Sequence, residues 1–206
     1  GQGTNPAAMA MGGHWLVPHV TLCLEHNTPL VTLWRESKPV PRFDSAPHLA
    51  ALIPAITAGN LTLEPRAPTS FDTWLEGHCD GNWLEQHSLH AACNYCLMLG
   101  TSLLRNITSA PSAVSDEDKW FVYDLGFRIA RQGEAGIRAA LQGLQNLPGG
   151  PHDGPKKIFP KMYDRLAYDT IDNPDYDDFR RILRSHMLET WPLGVGDELL
   201  GEPIVE

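Results

Sequence analysis

The chain has 206 residues, a formal net charge of −9 and an apolar fraction of 42 %. A chain of this length can bury a core without disulfides or metals, and its composition is that of a globular protein. No apolar run approaches the roughly 20 residues of a membrane-spanning helix, and no basic region followed by an apolar stretch opens the chain. We therefore expect a cytoplasmic protein without membrane association.

The acidic charge lies in the later two-thirds of the chain. Residues 1–68 are neutral, residues 69–150 carry −4 and residues 151–206 carry −5. Proteins that bind duplex DNA mainly through its phosphates need clustered Lys and Arg, so this charge disfavours that class. The four Cys, without a secretory signal, are predicted to be thiols or metal ligands.

The first part of the chain predicts a β-hairpin. Residues 1–11 resemble an expression-vector remnant and are left out of the predicted fold. Within residues 12–46, an alternating apolar run from Val20 to Leu24 precedes a turn signal at residues 27–29. Alternation with a period of two, followed by such a turn, is typical of a hairpin.

Residues 47–206 predict a helical domain of five or six helices, so the expected fold class is mainly α with a small N-terminal hairpin. Thr69 or Ser70 and Asn82 are expected N-caps, the latter of a long apolar helix. Pro54 is expected to break or kink a helix at residues 47–58. Further helices are expected at 115–133, 134–147, 156–168 and from about 175, with another helical turn or two and a tail after Trp191.

Cys23-Leu24-Glu25-His26 has the spacing of one half of a tetrahedral zinc site. We predict Cys23 and His26 as metal ligands, with zinc as the metal and the site incomplete in this chain. Cys93 and Cys96 share a helical face and are a conceivable second pair of ligands. Core packing explains these two thiols as well, because free Cys is among the most buried residue types.

Two basic groups are candidate nucleic-acid contacts. They are Lys156, Lys157, Lys161 and Arg165 after the Gly/Pro-rich loop, and Arg180, Arg181 and Arg184 in the helix after the acidic turn. Both groups have acidic neighbours, so a solvated helix face is the alternative. No catalytic residue is predicted, since no nucleophile stands with an identifiable base and acid.

Two longer patterns span most of the chain from about residue 14. The first is Trp15-x-x-Pro18-x-Val20-x-x-Cys23-x-x-His26-x-x-Pro29-Leu30. The second is the order Phe71-x-x-Trp74-Leu75, Leu89 to Gly100, Leu125-Gly126-Phe127 through Gly133, Arg184-x-His186 and Trp191-Pro192-Leu193. Together they resemble the TniQ family of transposition-associated proteins, related to the target-selecting TnsD proteins. The first pattern is similar to the second zinc-knuckle segment of that family, and the second to the helical region after it.

The resemblance implies a non-catalytic adaptor in DNA transposition. Such an adaptor links a target-recognition element, in some cases RNA-guided, to the transposase machinery through protein partners and local DNA contact. In the family a Cys-x-x-Cys pair precedes the Trp, where residues 1–11 stand here. The chain therefore resembles a family member that is cut after the first knuckle or read from a late start codon, and the family's helix-turn-helix-like portion is expected to be absent or to lie elsewhere.

Two other functions stay open on the sequence. A helical DNA-binding transcriptional regulator would place the Lys156–Arg165 or the Arg180–Arg184 helix in a groove. A metal-dependent hydrolase would use Cys23 and His26 with ligands distant in sequence, and would keep one metal position open.

Overall fold

The structure of the chain, a computed structural model, describes residues 13–34, 45–60, 63–77, 80–108, 118–147 and 153–205. The fold is mainly α with a small N-terminal β-hairpin, as predicted. The chain divides into two compact units, Gly1–Pro68 and Thr69–Glu206, so the expected boundary at residues 46–47 lies within the first unit. In the described ranges, no helix combines the length and the apolar character needed to cross a membrane.

The first unit contains the predicted hairpin. Its elements are a 3₁₀ turn at Gly13–Leu16, strand β1 at Leu22–Cys23, strand β2 at Thr28–Pro29 and helix α1 at Ser45–Thr57. The strands pair antiparallel, with Leu22 opposite Pro29 and Cys23 opposite Thr28. Of the expected run from Val20 to Leu24 only Leu22–Cys23 forms a strand. Thr28 and Pro29 of the expected turn form β2, in which Pro29 has no N–H to donate to the ladder. The turn uses Asn27, whose φ of 52° lies in the left-handed region that Asn tolerates.

Of the expected break or kink at Pro54, the break does not occur, because helix α1 continues through this residue. Proline removes one hydrogen-bond donor from a helix, but its carbonyl group still accepts. Ala58 N–H donates to the Pro54 carbonyl oxygen at 3.0 Å, and the helical bonding therefore resumes beyond the proline.

The second unit contains seven further helices and a second hairpin among its described residues. The helices are α2 (Ser70–Leu75), α3 (Leu89–Thr108), α4 (Lys119–Ala130), α5 (Gly133–Gln145), α6 (Pro155–Ile158), α7 (Pro160–Asp164) and α8 (Asp177–Thr190). Short turns separate them: 3₁₀ turns at Trp83–Gln86 and Pro174–Tyr176 and a π turn at Arg165–Asp169. Strands β3 (Glu198–Leu199) and β4 (Glu202–Pro203) follow α8.

The predicted N-cap of α2 is confirmed, whereas the residue predicted to cap α3 caps a 3₁₀ turn before it. Thr69 caps α2 in a capping box with Asp72, each side chain accepting a backbone N–H of the other residue. Asn82 caps the 3₁₀ turn, accepting from Leu84 N–H at 3.0 Å, and α3 begins only at Leu89. The expected continuous helix from Asn82 is therefore two elements.

Two expectations in the last quarter of the chain were also wrong. The helix expected at 156–168 is divided at Pro160, because a proline cannot continue the bonding of the preceding turn. The expected helical turn after Trp191 is the β3–β4 hairpin. Its two-residue turn has Leu200 at φ 54° and Gly201 at φ 79°, the positive values that a type I′ turn requires. Buried Leu200 donates its N–H to the Tyr163 hydroxyl at 3.1 Å, which holds this conformation.

The core of the second unit centres on the antiparallel crossing of α3 and α4. A Cβ atom added at Gly100 would lie 2.0 Å from the Val122 carbonyl oxygen, and one added at Gly126 would lie 1.9 Å from the Cys96 carbonyl oxygen. Only glycine at both positions allows the two backbones to come this close. Glycine is costly inside a helix, so its presence here has a packing reason.

Aromatic side chains attach the neighbouring helices to this pair. Phe71 of α2 stacks on Tyr123 of α4 with ring centroids 4.7 Å apart. Phe179 of α8 stacks on Tyr95 of α3 at 4.2 Å. Buried Asp124 of α4 accepts the Phe71 N–H at 3.1 Å, which satisfies an N–H in the first turn of α2.

We expect Gly126→Ala to destabilise the protein by about 2–3 kcal/mol, because the added methyl group meets backbone atoms that cannot rotate away. Gly143→Ala is the matched control, since a Cβ at Gly143 has no atom within 4 Å. That change should stabilise the protein by about 0.5–1 kcal/mol through helix propensity. Urea unfolding followed by circular dichroism measures both. Equal stability of the two variants would contradict the close crossing.

Buried His186 should make the protein less stable as the pH falls below 7. Burial lowers the pKa of His186 below its ordinary 6.5, and the charge of Arg138 lowers it further, against an opposing effect of Glu189. As the pH falls below 6.5, His186 binds a proton in the unfolded chain but not yet in the folded chain. The free energy of unfolding therefore decreases as the pH falls, until the lowered pKa of the folded state is passed. Its Nε2 lies 3.1 Å from Gln145 Oε1, a contact that glutamine can also make.

The comparison for this prediction is His186→Gln against the unchanged chain, unfolded in urea at pH 7.5, 6.0 and 5.0. The variant should lose less stability over this interval, because its side chain does not titrate. Parallel pH profiles for the two proteins would show that His186 does not contribute to the acid sensitivity.

Candidate functional site

The predicted metal ligands Cys23 and His26 lie at the two ends of the first hairpin's tight turn. Cys23 is buried at the end of β1, and its Sγ lies 3.3 Å from His26 Nδ1. The other ring nitrogen, Nε2, is buried and has no hydrogen-bond partner among the described residues; the nearest carboxylate oxygen, of Glu25, is 3.9 Å away. The tight turn after β1 therefore brings the two predicted ligands together.

The spacing of this pair fits two corners of a tetrahedral zinc site. With Zn–S and Zn–N bonds of about 2.3 and 2.0 Å, the two donor atoms of such a site are about 3.5 Å apart. The described residues contain no group of three or more His, Cys, Asp and Glu placed to hold a metal. Cys79, the fourth cysteine of the chain, lies outside the described residues. A zinc ion here would need further ligands beyond the described Cys23 and His26.

Cys93 and Cys96 are core residues of the second unit. Both are fully buried on α3, and Cys96 stands at the glycine crossing with α4. Burial raises the pKa of Cys93 to about 12 and raises that of Cys96 well above its ordinary value. Since zinc binds the thiolate, this environment opposes ligation and favours the packing interpretation.

The first basic group is spread over several short elements. Lys156 and Lys157 lie on α6, Lys161 on α7 and Arg165 at the start of the π turn. Three of these cations have acidic partners: Lys156 with Asp164 at 3.2 Å, Lys157 with Asp153 at 2.6 Å and Arg165 with Asp169 at 3.5 Å. Exposed Lys161 forms no ion pair within the described part of the chain.

The second basic group is largely structural. Arg180 is buried, and its guanidinium donates to the carbonyl oxygens of Leu166 at 3.1 Å and Thr170 at 2.6 Å, besides pairing with Asp177. Arg184 donates to the Leu199 carbonyl oxygen at 2.6 Å and so attaches the second hairpin to α8. Because their donors bind the protein's own backbone, this geometry disfavours Arg180 and Arg184 as contacts of nucleic acid, and the assignment stays a prediction.

Arg181 is the exposed member of the second group. Its guanidinium lies 3.0 Å from Glu134 Oε2 on α5 and 3.3 Å from Asp178 Oδ1 on its own helix. Hydrogen bonds from Arg138 and Arg181 lower the pKa of Glu134. The Arg181 contact connects α8 to α5 at the surface.

A cleft that the sequence did not indicate lies beside α3, with a volume of about 420 Å³. We call it the α3 cleft. One wall is the α3 face made by Asn94, Leu97, Met98 and Thr101, and the other is the segment from Lys161 to Tyr176, with Lys119 at one side. The only sequence signal for it is the spacing of four α3 residues on one helical face, which core packing explains equally well before the structure is known.

The second wall of the α3 cleft is held firmly. The Asn94 amide donates to the Tyr176 hydroxyl at 3.0 Å, which joins the two walls. Arg180 binds two carbonyl groups of the second wall, that of Leu166 within the π turn and that of Thr170 directly after it. Single π turns of this kind are frequent at functional sites. The cleft is thus built into the fold of the second unit.

Comparison of the chain with protein-family models, with curated proteins and with solved structures gave no match.

Arg180→Met should destabilise the protein by about 3 kcal/mol, because it keeps the aliphatic stem and leaves two buried carbonyl groups without their donor. Arg181→Met is the matched control on the adjacent position, and loss of its exposed ion pairs should change stability by less than about 1 kcal/mol. Urea unfolding and duplex-DNA anisotropy are measured for both variants. If Arg180→Met leaves the stability unchanged and weakens DNA binding, Arg180 is a nucleic-acid contact and not a structural residue.

Proposed function

We propose that this protein is a non-catalytic, TniQ-like accessory of DNA transposition that connects target recognition to the transposase machinery through protein contacts. The observation that carries this proposal is that most of the candidate lysines and arginines are paired with carboxylates. Of the seven predicted nucleic-acid contacts, six have an acidic partner, and only Lys161 has none within the described part of the chain.

Paired cations weaken a DNA-binding interpretation for a physical reason. A phosphate that approaches Lys157 or Arg165 must displace a carboxylate that remains nearby and repels it. The gain from counterion release, which drives non-specific DNA binding, is reduced accordingly. In a chain with a net charge of −9, this favours protein partners over an independent grip on duplex DNA.

The positions that carry the TniQ resemblance support a scaffold. Gly100 and Gly126 are the two residues of the helix crossing, and Phe71 and Trp74 are buried against α4. Trp191 is buried and donates its indole N–H to the Asp153 carbonyl oxygen at 3.1 Å. These residues hold the fold together, which supports a scaffold role for the helical part of the resemblance.

The regulator alternative finds little support in the same geometry. A recognition helix presents a continuous row of side chains to the major groove. The Lys156–Arg165 stretch is interrupted at Pro160, and Arg180 and Arg184 face their own fold. The hydrolase alternative would need a third ligand near Cys23 and His26, and the described residues supply none. An adaptor would work in the cytoplasm, where the transposition complex meets DNA.

Co-purification of the full chain with its expected partners tests the proposal. The tagged protein is incubated with a transposase-associated ATPase and a target-recognition protein of a mobile element from the same genome. An ATPase from an unrelated element is the control. We expect at least one of the two expected partners to be retained and the control to be lost. A 30-base-pair duplex should bind weakly, with a Kd of about 10⁻⁴ to 10⁻⁶ M at physiological salt.

Two results would overturn this function. Retention of neither partner, together with no DNA binding, would remove the transposition adaptor. Tight duplex binding that weakens on charge reversal of exposed Arg181, with the protein still folded, would favour the DNA-binding regulator instead.

A further inference from the structure

The α3 cleft differs in charge from the rest of the molecule. Both carboxylates in its wall are engaged by cations, Asp164 by Lys156 at 3.2 Å and Asp169 by Arg165 at 3.5 Å. Lys161 stands in the same wall, exposed and without an ion-pair partner in the described ranges. An acidic molecule of net charge −9 therefore presents a cationic position at this cleft.

The α3 wall of the cleft has an apolar part, which we call its floor. Leu97 and Met98 line it from α3, and Met98 is 6 % exposed. Met adapts its unbranched side chain to differently shaped partners, which makes it common at binding surfaces. A volume of about 420 Å³ is in the range of roughly 300–1,000 Å³ found for binding pockets.

The charge pattern indicates which partner fits. A carboxylate at Lys161 would gain an ion pair, whereas elsewhere the acidic surface repels it, so binding would be directed to this position. An apolar side chain beside that carboxylate would lie on Leu97 and Met98. A polypeptide that carries acidic and large apolar residues side by side offers both groups to the residues that line this cleft.

We propose that the α3 cleft binds an acidic segment of a protein partner, with an apolar side chain on Leu97 and Met98 and a carboxylate at Lys161. The proposal rests on the adaptor function and assigns it a contact surface. Because Arg180 and the Asn94–Tyr176 hydrogen bond hold the walls in place, little conformational ordering opposes binding.

The experiment measures fluorescence anisotropy of a fluorescein-labelled eight-residue peptide in which glutamates flank one leucine and one phenylalanine. The same peptide with every glutamate replaced by glutamine, and a single-stranded and a duplex oligonucleotide, are the comparison probes. Lys161→Glu is the test variant. Lys157→Glu is the matched control, since it makes the same charge change at an exposed lysine that does not line the cleft.

We expect the acidic peptide to bind and Lys161→Glu to weaken it by about tenfold or more, which corresponds to about 1.4 kcal/mol. Lys157→Glu should stay within about twofold of the unchanged protein, and the glutamine peptide should bind about tenfold more weakly. Leu97→Ala tests the apolar floor and should weaken binding about fivefold, in proportion to the lost apolar area. Circular dichroism checks that each variant is folded.

Several results would overturn the proposal. These are absence of peptide binding, equal binding by Lys161→Glu, and binding of an oligonucleotide but not the peptide in a manner that depends on Lys161. The adaptor function is judged separately by co-purification with the Lys161→Glu protein. If this variant retains the partners as well as the unchanged chain, the cleft assignment fails and the adaptor function stands. If the peptide binds through Lys161 but neither expected partner is retained and no DNA binds, the cleft stands and the adaptor function fails.

Discussion

The close approach of α3 and α4 is the constraint on which the second unit depends. Each helix places a glycine against a carbonyl group of the other, so the separation of the two backbones is fixed without any intervening side chain. The remaining core is arranged around this pair, with α2 attached to α4 through Phe71 and α8 attached to α3 through Tyr95. Leu97 and Met98, which line the cleft, belong to or pack against this core, so their positions are held by the same helix crossing.

The three arginines of α8 act on the protein itself. Arg180 and Arg184 bind backbone carbonyl groups, and Arg181 joins α8 to Glu134 of α5. Because these guanidinium groups are already bound, they add little positive potential to the surface of this acidic chain. Lys161 differs from its neighbours because the carboxylates near it already have partners. A single lysine can therefore direct a partner to one place on a repulsive surface.

Periodicity and cap signals predicted the fold class, the first hairpin and the Thr69 cap, because each depends on residues adjacent in sequence. The same reasoning failed where the outcome depends on distant contacts. Leu200 has a left-handed backbone conformation, which its burial and the hydrogen bond to the Tyr163 hydroxyl stabilise. No pattern in the neighbouring sequence predicts this conformation. The α3 cleft was missed for the same reason, since its two walls are separated by about 70 residues along the chain. Arg180 resembled a surface cation in sequence, and burial beside the π turn decided its role.

The position of Arg180 affects which substitutions the cleft can accept. The residue fixes the shape of the cleft wall from behind and does not line the cleft. Residues that set the scaffold and residues that face a partner are therefore different residues. Substitutions at Leu97, Thr101 or Lys161 can alter which partner is preferred while the wall keeps its geometry. Such a division lets the recognition surface change by substitution while the architecture that holds it is kept.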